Sequence, residues 1–473
     1  MPLLQINNLS IQFHTEASVT DAIRNISFEV NRGEIVAIVG ESGSGKSVTA
    51  LSILQLLPSP PAKYTSGEIL FTPNEQQQDI LKLSTNELRK LRGRQISMIF
   101  QEPMTSLNPV FTCGNQVMEA ILLHENISKQ DAKARTIALF AQVKLPEPAQ
   151  IFNRYPHQLS GGQKQRVMIA MAMSCNPDLL ICDEPTTALD VTVQKNILQL
   201  IKELQQSTRM GVIFITHDLG LVGEIADRAI VMYKGEIVEQ GLTADLFQNP
   251  SHAYTKALLA CRPVLHKKGE RLPTVSDFLS NTIPAESIIN LAATVQPNSS
   301  FKDGEAAPAA QLQTNLSSEA DEATSTAPFQ PGSSTSNEIG APLIEVEHLS
   351  VWFPAGKSFF GKTKRFTKAV DDVSFTVFKG ETLGLVGESG CGKTTLGRTL
   401  LRLIEPTSGK IIYNGTELTS LHGTSLKSFR KEIQIVFQDP YSSLNPRITI
   451  GEAIAEPMMV HGIAASRRER KEK

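Results

Sequence analysis

The sequence has 473 residues, 41% hydrophobic and 20% charged, enough for two to four domains with apolar cores at about 100–200 residues each. Lys plus Arg (46) nearly balances Asp plus Glu (48), and the net charge of −2 excludes broad, nonspecific nucleic-acid binding, which needs a large positive excess. No apolar run reaches the ~18 residues of a membrane span, and MPLLQINNLS has neither the basic nor the apolar part of a leader. The five cysteines (Cys113, Cys175, Cys182, Cys261, Cys391) form no C-x-x-C pair, which predicts a reducing cytoplasm and neither a disulfide framework nor a zinc site.

Short apolar runs alternate with helical stretches along the first half. Ile35–Val39, Leu179–Cys182 and Val212–Ile215, each bounded by Gly, Asp or Pro, predict buried parallel strands. Ser47–Leu57 predicts a helix ended by Pro58. The alternation predicts an α/β domain with a largely parallel sheet.

Between the first strand and that helix, Gly40-Glu41-Ser42-Gly43-Ser44-Gly45-Lys46-Ser47, followed by Val48, fits G-x-x-x-x-G-K-[ST]. The glycines let successive backbone N–H groups turn toward one anion, and the helix aims its positive N-terminus at the same point. Lys46 is expected to reach the β- and γ-phosphates of ATP, and the Ser47 hydroxyl to ligate Mg²⁺. A glycine-rich turn matching by chance is the plainer reading. The strand–loop–helix context and a second copy downstream weigh against it.

Further along come Gln101 in FQEPMTSLNP, then Leu159-Ser160-Gly161-Gly162-Gln163 after Tyr155-Pro156-His157-Gln158, then LLICDEPTTALD at 179–190, then His217 after GVIFIT. With this set in this order, the chain resembles the ATP-binding-cassette ATPases, fully over 1–264 and in part over 342–473. The resemblance implies a P-loop nucleotide-binding domain with a helical subdomain. It implies that Asp183 holds Mg²⁺ and that Glu184 orients or deprotonates the attacking water. His217 contacts the γ-phosphate, Gln101 links metal and water to the transmembrane partner, and Thr187–Asp190 forms the D-loop. Phe13 falls where the family stacks an aromatic on adenine, although a strand Phe is more often core. The family's Ser160, Gly161, Gly162 and Gln163 contact the γ-phosphate held by the opposite nucleotide-binding domain. Hydrolysis therefore needs two such domains.

QEPMTSLNPVFT and NPSHAYTKALL at 249–259 resemble the dipeptide, oligopeptide and nickel importer group, with Ala253 where that group usually has proline. Only Cys261 lies where some relatives carry an iron–sulfur cluster, so no cluster is expected. Residues 265–341, rich in Ser, Thr, Ala, Asn, Gln and Pro, predict a disordered linker. Beyond it the pattern returns: Leu349–Phe353 matches Leu9–Phe13, GETLGLVGESGCGKT matches GEIVAIVGESGSGKS, and FQDPYSSLNP matches FQEPMTSLNP. The second P-loop offers Gly387, Glu388, Ser389, Gly390, Cys391, Gly392, Lys393, Thr394 and Thr395, with Thr394 on the metal and Gln438 as Q-loop glutamine.

The expected domains are thus 1–264, complete, and 342–473, the N-terminal part of a duplicate. Gln101 precedes Ser160 by 59 residues, and the same spacing after Gln438 runs past residue 473. The second copy then has no signature, Walker B pair or switch histidine. Hydrolysis would need two first copies from separate chains, or a partner supplying the missing segment. Two fused cassettes with a long linker resemble the glutathione-importer ATPases first and the microcin C-type peptide importer ATPases next. That implies import of peptides such as glutathione, at the cytoplasmic face of the inner membrane, with two permease subunits and a periplasmic or extracellular binding protein. The alternative, a soluble tandem cassette ATPase acting on ribosomes, joins its domains by a strongly charged helix, unlike 265–341. The terminal SRRERKEK mixes five basic residues with two Glu and reads as a solvated helix face.

Overall fold

In the computed structural model the described residues are 1–473 apart from 17, 75, 102–105, 188, 262–273, 276, 278–340, 355–365, 389, 438–442, 465 and 473. They divide into two units, Met1–Ala310 and Gln311–Lys473. The expected linker, 265–341, lies almost entirely outside the described residues, as do Ser389 and Gln438.

In the first unit, β1 (Leu4–His14), β2 (Val19–Val30), β3 (Ile35–Val39), α1 (Lys46–Ile53), β4 (Ala62–Phe71), β5 (Gln78–Asp79), α2 (Thr85–Leu91) and β6 (Ile96–Ile99) come first. A helical stretch follows: α3 (Cys113–His124), α4 (Lys129–Gln142), α5 (Pro148–Ile151) and α6 (Gly161–Ala172). The chain then returns through β7 (Leu179–Asp183), α7 (Val191–Thr208), β8 (Gly211–Thr216), α8 (Leu219–Ile225), β9 (Arg228–Tyr233), β10 (Glu236–Leu242), α9 (Thr243–Gln248) and α10 (Ala253–Ala260).

These strands make two sheets. One is antiparallel, in the order β2-β1-β4-β5. The other runs β10-β9-β3-β8-β7-β6, parallel throughout except for the β9–β10 hairpin. Its strands are continuous apolar runs because both faces are covered. In β8, Ile213 and Ile215 pack toward the antiparallel sheet with Leu4, Ile6 and Ile69. Val212 and Phe214 pack on the opposite face with Val117, Phe140, Val167 and Ile201 of the helices. Ala37 and Val39 join a third core with Leu219, Val222 and residues of α10.

The three predicted strands are present, two of them slightly longer than expected. The predicted helix over Ser47–Leu57 is shorter, ending at Ile53. Its stop is a Schellman turn, not Pro58: Gln55 takes the left-handed conformation (φ 47°), Leu56 N–H bonds Leu51 O, and Gln55 N–H bonds Ser52 O.

The second unit contains β11 (Pro342–Pro354), β12 (Phe366–Phe378), α11 (Lys393–Leu400), β13 (Ser408–Tyr413), β14 (Thr416–Glu417), α12 (Gly423–Phe429), α13 (Ile450–Val460) and α14 (Arg467–Glu472). Its sheet, β12-β11-β13-β14, is the counterpart of the first unit's antiparallel sheet, and its core gathers Val346, Leu349, Val351, Val370, Leu396 and Ile411. The Schellman turn recurs at Arg402 (φ 52°), where Leu403 N–H bonds Arg398 O. Residues 382–386, the counterpart of β3, form no strand and are exposed, Val386 at 89%. Among the described residues no strand pairs with them.

Candidate functional site

The Gly40–Ser47 loop leaves the C-terminal end of β3 and enters α1. Two glycines have no substitute there. A Cβ on Gly40 (φ 152°) would sit 2.2 Å from Met232 O, and one on Gly45 (φ 103°) 2.9 Å from Ala22 O. Lys46, only 6% exposed, folds back over the loop and donates to Gly40 O and Glu41 O, both at 2.8 Å. Ser44, also buried, has a hydroxyl without a partner among the described residues. Glu41, Ser42 and Gly43 are exposed, while Val48 packs against the core between the two sheets.

The second cluster stands at the neighbouring ends of β7 and β8. Ser47 Oγ donates to Asp183 Oδ1 at 3.1 Å, which ties the loop's helix to β7. Glu184 Oε2 accepts from Gln101 Nε2 at 3.2 Å and from Thr187 Oγ1 at 2.9 Å. His217 Nδ1 is 3.2 Å from Glu184 Oε1, with the imidazole exposed. Glu184 itself has left-handed backbone (φ 46°), held by its N–H on Ile215 O at 3.0 Å. Such a conformation costs about 1–2 kcal/mol outside glycine and persists only where the surroundings impose it.

Burial governs the charges. It lowers the Lys46 ammonium from its ordinary value, although Glu184, Asp183 and Glu41 pull the other way. It raises the Asp183 carboxyl, against the Ser47 hydrogen bond and the Lys46 charge, and the nearby Glu184 adds to the rise. The site thus gathers a desolvated cation, anion-seeking backbone, two carboxylates, an amide and an imidazole at one edge of the parallel sheet.

Other expected site residues are placed elsewhere. Ser160 caps α6, accepting from Gln163 N–H at 3.3 Å, while Gln163 Oε1 accepts from Ser160 N–H at 3.1 Å. Gly161 lies beside Leu189, and a Cβ on Gly162 would meet Val193 at 2.7 Å. Among the described residues no hydrogen bond or ion pair joins Ser160–Gln163 to Lys46, Asp183, Glu184 or His217. Phe13 is half-buried in β1 opposite Ala62 and packs on the core between the sheets. In the second unit Lys393 Nζ donates to Gly387 O at 2.6 Å and Glu388 O at 2.7 Å, and lies 3.5 Å from Cys391 Sγ. Gly390 and Gly392 have positive φ, Thr394 is exposed, and Thr395 accepts a bond from Thr399 on its carbonyl. The first loop is seated in a core and the second is open to solvent.

The ABC transporter family model matches residues 23–187 and 370–472, more than half of the chain. The chain belongs to the ABC transporter family. It is a cassette ATPase, an ATP-binding subunit of the importer type, with the cassette pattern in both units. A second model, the oligopeptide/dipeptide transporter C-terminal region, matches 238–283. The chain is 46% identical over 465 residues to the "Glutathione import ATP-binding protein GsiA" of Salmonella typhimurium and 45% identical to that of Escherichia coli K12. Each alignment covers 98% of this chain and 68% of the relative. Among solved structures, a dimeric bacterial ABC transporter cassette has a TM-score of 0.45 at 29% identity, over 51% of this chain and 98% of that one. Nothing in these comparisons favours a ribosome-acting cassette.

Residue reasoning missed one contact of the cassette. Tyr254 bonds the phosphate loop through its hydroxyl (2.9 Å to Glu41 N), and its only signal in sequence was the His252-Ala253-Tyr254-Thr255 run.

Proposed function

We propose that this subunit energises import of glutathione or a similarly small peptide, from the cytoplasmic face of the inner membrane, with two permease subunits and a substrate-binding protein. The names of the relatives and the match at 238–283 support the cargo class. No helix of the described residues is long and apolar enough to cross a membrane. In this reading the permeases hold the subunit at the membrane. Residues 1–264 then form one nucleotide-binding domain, 265–341 a linker, and 342–473 belong to a second such domain.

In this reading Lys46 and the loop Gly40–Val48 cradle the phosphates, Phe13 meets the adenine, and Ser47, Asp183 and Gln101 would hold Mg²⁺. Two features fit these groups. The unpartnered Ser44 hydroxyl lies inside the cradle, and Ser47 and Asp183 present paired oxygens. Mg²⁺ is commonly held by one or two protein oxygens, with phosphate and water supplying the rest. When bound, Mg²⁺-ATP supplies the γ-phosphoryl group and neutralises its oxygens. Glu184 orients the attacking water and receives its proton, Gln101 and Thr187 fix that carboxylate, and His217 adds a polar contact at the γ-phosphate. That Ser160 and Gln163 bond each other at the start of α6, and join this cluster by no hydrogen bond or ion pair among the described residues, supports a signature that serves an opposing copy, through pairing of first domains. The second P-loop, with Gly387, Lys393 and Thr394, holds nucleotide more weakly because it is open to solvent.

The observation that carries the reading is the convergence of Lys46, His217, Asp183, Glu184 and Gln101 beyond the ends of the four neighbouring strands β3, β8, β7 and β6. Glu184→Gln is expected to keep ATP affinity and lose turnover by ~10²–10⁴-fold. Lys46→Ala is expected to weaken binding itself. Equal ATP affinity for Lys46→Ala and the parent protein would sink the assignment. Uptake of radiolabelled glutathione in cells carrying the cognate permeases tests the cargo, and uptake of dipeptides alone would replace it.

A further inference from the structure

Tyr254 is the second residue of α10 and is fully buried. Its ring lies against Tyr233, centroids 4.3 Å apart and planes tilted by 35°, and shares a core with Ala37, Val39 and Val231 of the strands beneath the phosphate loop. Its hydroxyl accepts from Glu41 N–H at 2.9 Å. Burial pushes the phenol up to about 12, so it stays a neutral hydroxyl at physiological pH.

The tyrosine is itself held in place. Glu239 on β10 accepts from Ser251 N–H and Oγ, both at 2.7 Å, and from His252 N–H at 3.1 Å. Burial works against the Glu239 charge, but the Thr255 hydroxyl, followed by the Ser251 and His252 donors, outweighs it and holds the carboxyl below its ordinary range. His252 Nδ1 in turn accepts from Tyr254 N–H at 3.1 Å, capping α10. A chain of contacts therefore runs from β10 through the start of α10 to the second residue of the phosphate loop. All its side chains lie within 238–283.

The Glu41 residue is held at both ends: Tyr254 takes its N–H and Lys46 takes its carbonyl. A phosphate that draws the Lys46 ammonium away leaves the Glu41 carbonyl with Ser44 N–H at 3.2 Å, within the loop itself, and the Tyr254 hydroxyl then ties Glu41 to a residue outside the loop. We propose that Tyr254 is a positioning residue that couples the 238–283 segment to the phosphate loop, so that nucleotide affinity depends on how that segment is seated. The coupling is reciprocal: nucleotide should steady α10 to the same degree. This inference rests on the nucleotide-binding reading of the Lys46 loop.

The test uses the full chain as parent, Tyr254→Phe, Glu239→Gln and Lys46→Ala, well below the unfolding midpoint. Hydrogen exchange over 40–44 is followed without nucleotide, and a fluorescent ATP analogue with excess Mg²⁺ reports Kd. Tyr254→Phe keeps the ring and its burial, so packing alone predicts no change in either readout. The expected result is faster exchange at Glu41 and a raised Kd, with roughly 5- to 10-fold as the ceiling, because one buried neutral hydrogen bond is worth no more and it is already made without nucleotide. Glu239→Gln, acting only through α10, should weaken binding in the same direction by a smaller factor. Parental exchange at Glu41 in Tyr254→Phe overturns the anchor, and faster exchange with a parental Kd overturns the coupling. If the parent binds no better than Lys46→Ala, the nucleotide reading falls instead, and exchange at Glu41 still decides the anchor.

Discussion

Asp183 shows at the scale of one residue how a reaction site opposes stability. Its carboxylate is 5% exposed, and burial raises its pKa above the ordinary 3.8 despite the Ser47 hydroxyl and the Lys46 ammonium. A carboxyl whose folded pKa exceeds its unfolded value stabilises the fold only while protonated. That contribution is present below the ordinary value and is lost as pH rises through the raised one. At neutral pH the ionised group is therefore a net cost in the nucleotide-free protein. Asp183→Asn keeps an oxygen for Ser47 and removes the charge. It is expected to raise the thermal midpoint near neutral pH, by a margin that shrinks toward about pH 4, while ATP hydrolysis is lost. Thermal scans at several pH values check the sign, and a midpoint below the parent's at neutral pH would contradict it. Glu184 carries the same kind of cost in its backbone, at φ 46°. Glycine would relax that conformation but would remove the carboxylate that Gln101 and Thr187 hold.

Among the elements, α3 shows how closely the helical stretch is fitted. Gly114 lies in its first turn, where a Cβ would stand 2.2 Å from Phe152 Cδ2 and 2.6 Å from Phe152 O. Gly114 N–H also bonds that carbonyl at 3.0 Å, so neither ring nor backbone is free to retreat. Helix propensity alone would favour Gly114→Ala by about 1 kcal/mol. Overpacking costs roughly 1–3 kcal/mol or more and wins when backbone must move. The variant is expected to unfold at lower urea, with its slope unchanged, and a midpoint at or above the parent's would show that the contact relaxes freely. The phosphate loop depends on similar fitting. Gly235 in the β9–β10 turn donates to Ser44 O at 3.0 Å, so the hairpin also steadies the loop.

Across the whole molecule, the two copies of one pattern differ in what surrounds it. Ile35–Val39 lies between β8 and β9 and is buried throughout, whereas 382–386 has no strand partner among the described residues. Leu385 is 53% exposed, and Val436, in the counterpart of β6, is 97% exposed. Amides of 35–39 should therefore exchange on the order of 10³-fold or more slower than those of 382–386, since only the former open with global unfolding of their unit. Comparable protection in both segments would mean that the second unit finds other partners for these strands. The duplication, the alternation of strand and helix, the phosphate loop and the order of Gln101, Ser160, Asp183, Glu184 and His217 were all legible in sequence. Each rests on local chemistry: glycine where the backbone must turn, apolar runs where strands are covered, a carboxylate pair after such a run. The Schellman stop at Gln55 escaped that reading because a left-handed non-glycine residue leaves no compositional mark. The hold of Tyr254 on Glu41 escaped it because 213 residues separate the partners. Burial of Lys46 and Asp183, and its absence around Lys393, were decided by tertiary structure alone. Desolvation depends on which strands and helices close over a loop, and two nearly identical loops carry no record of that.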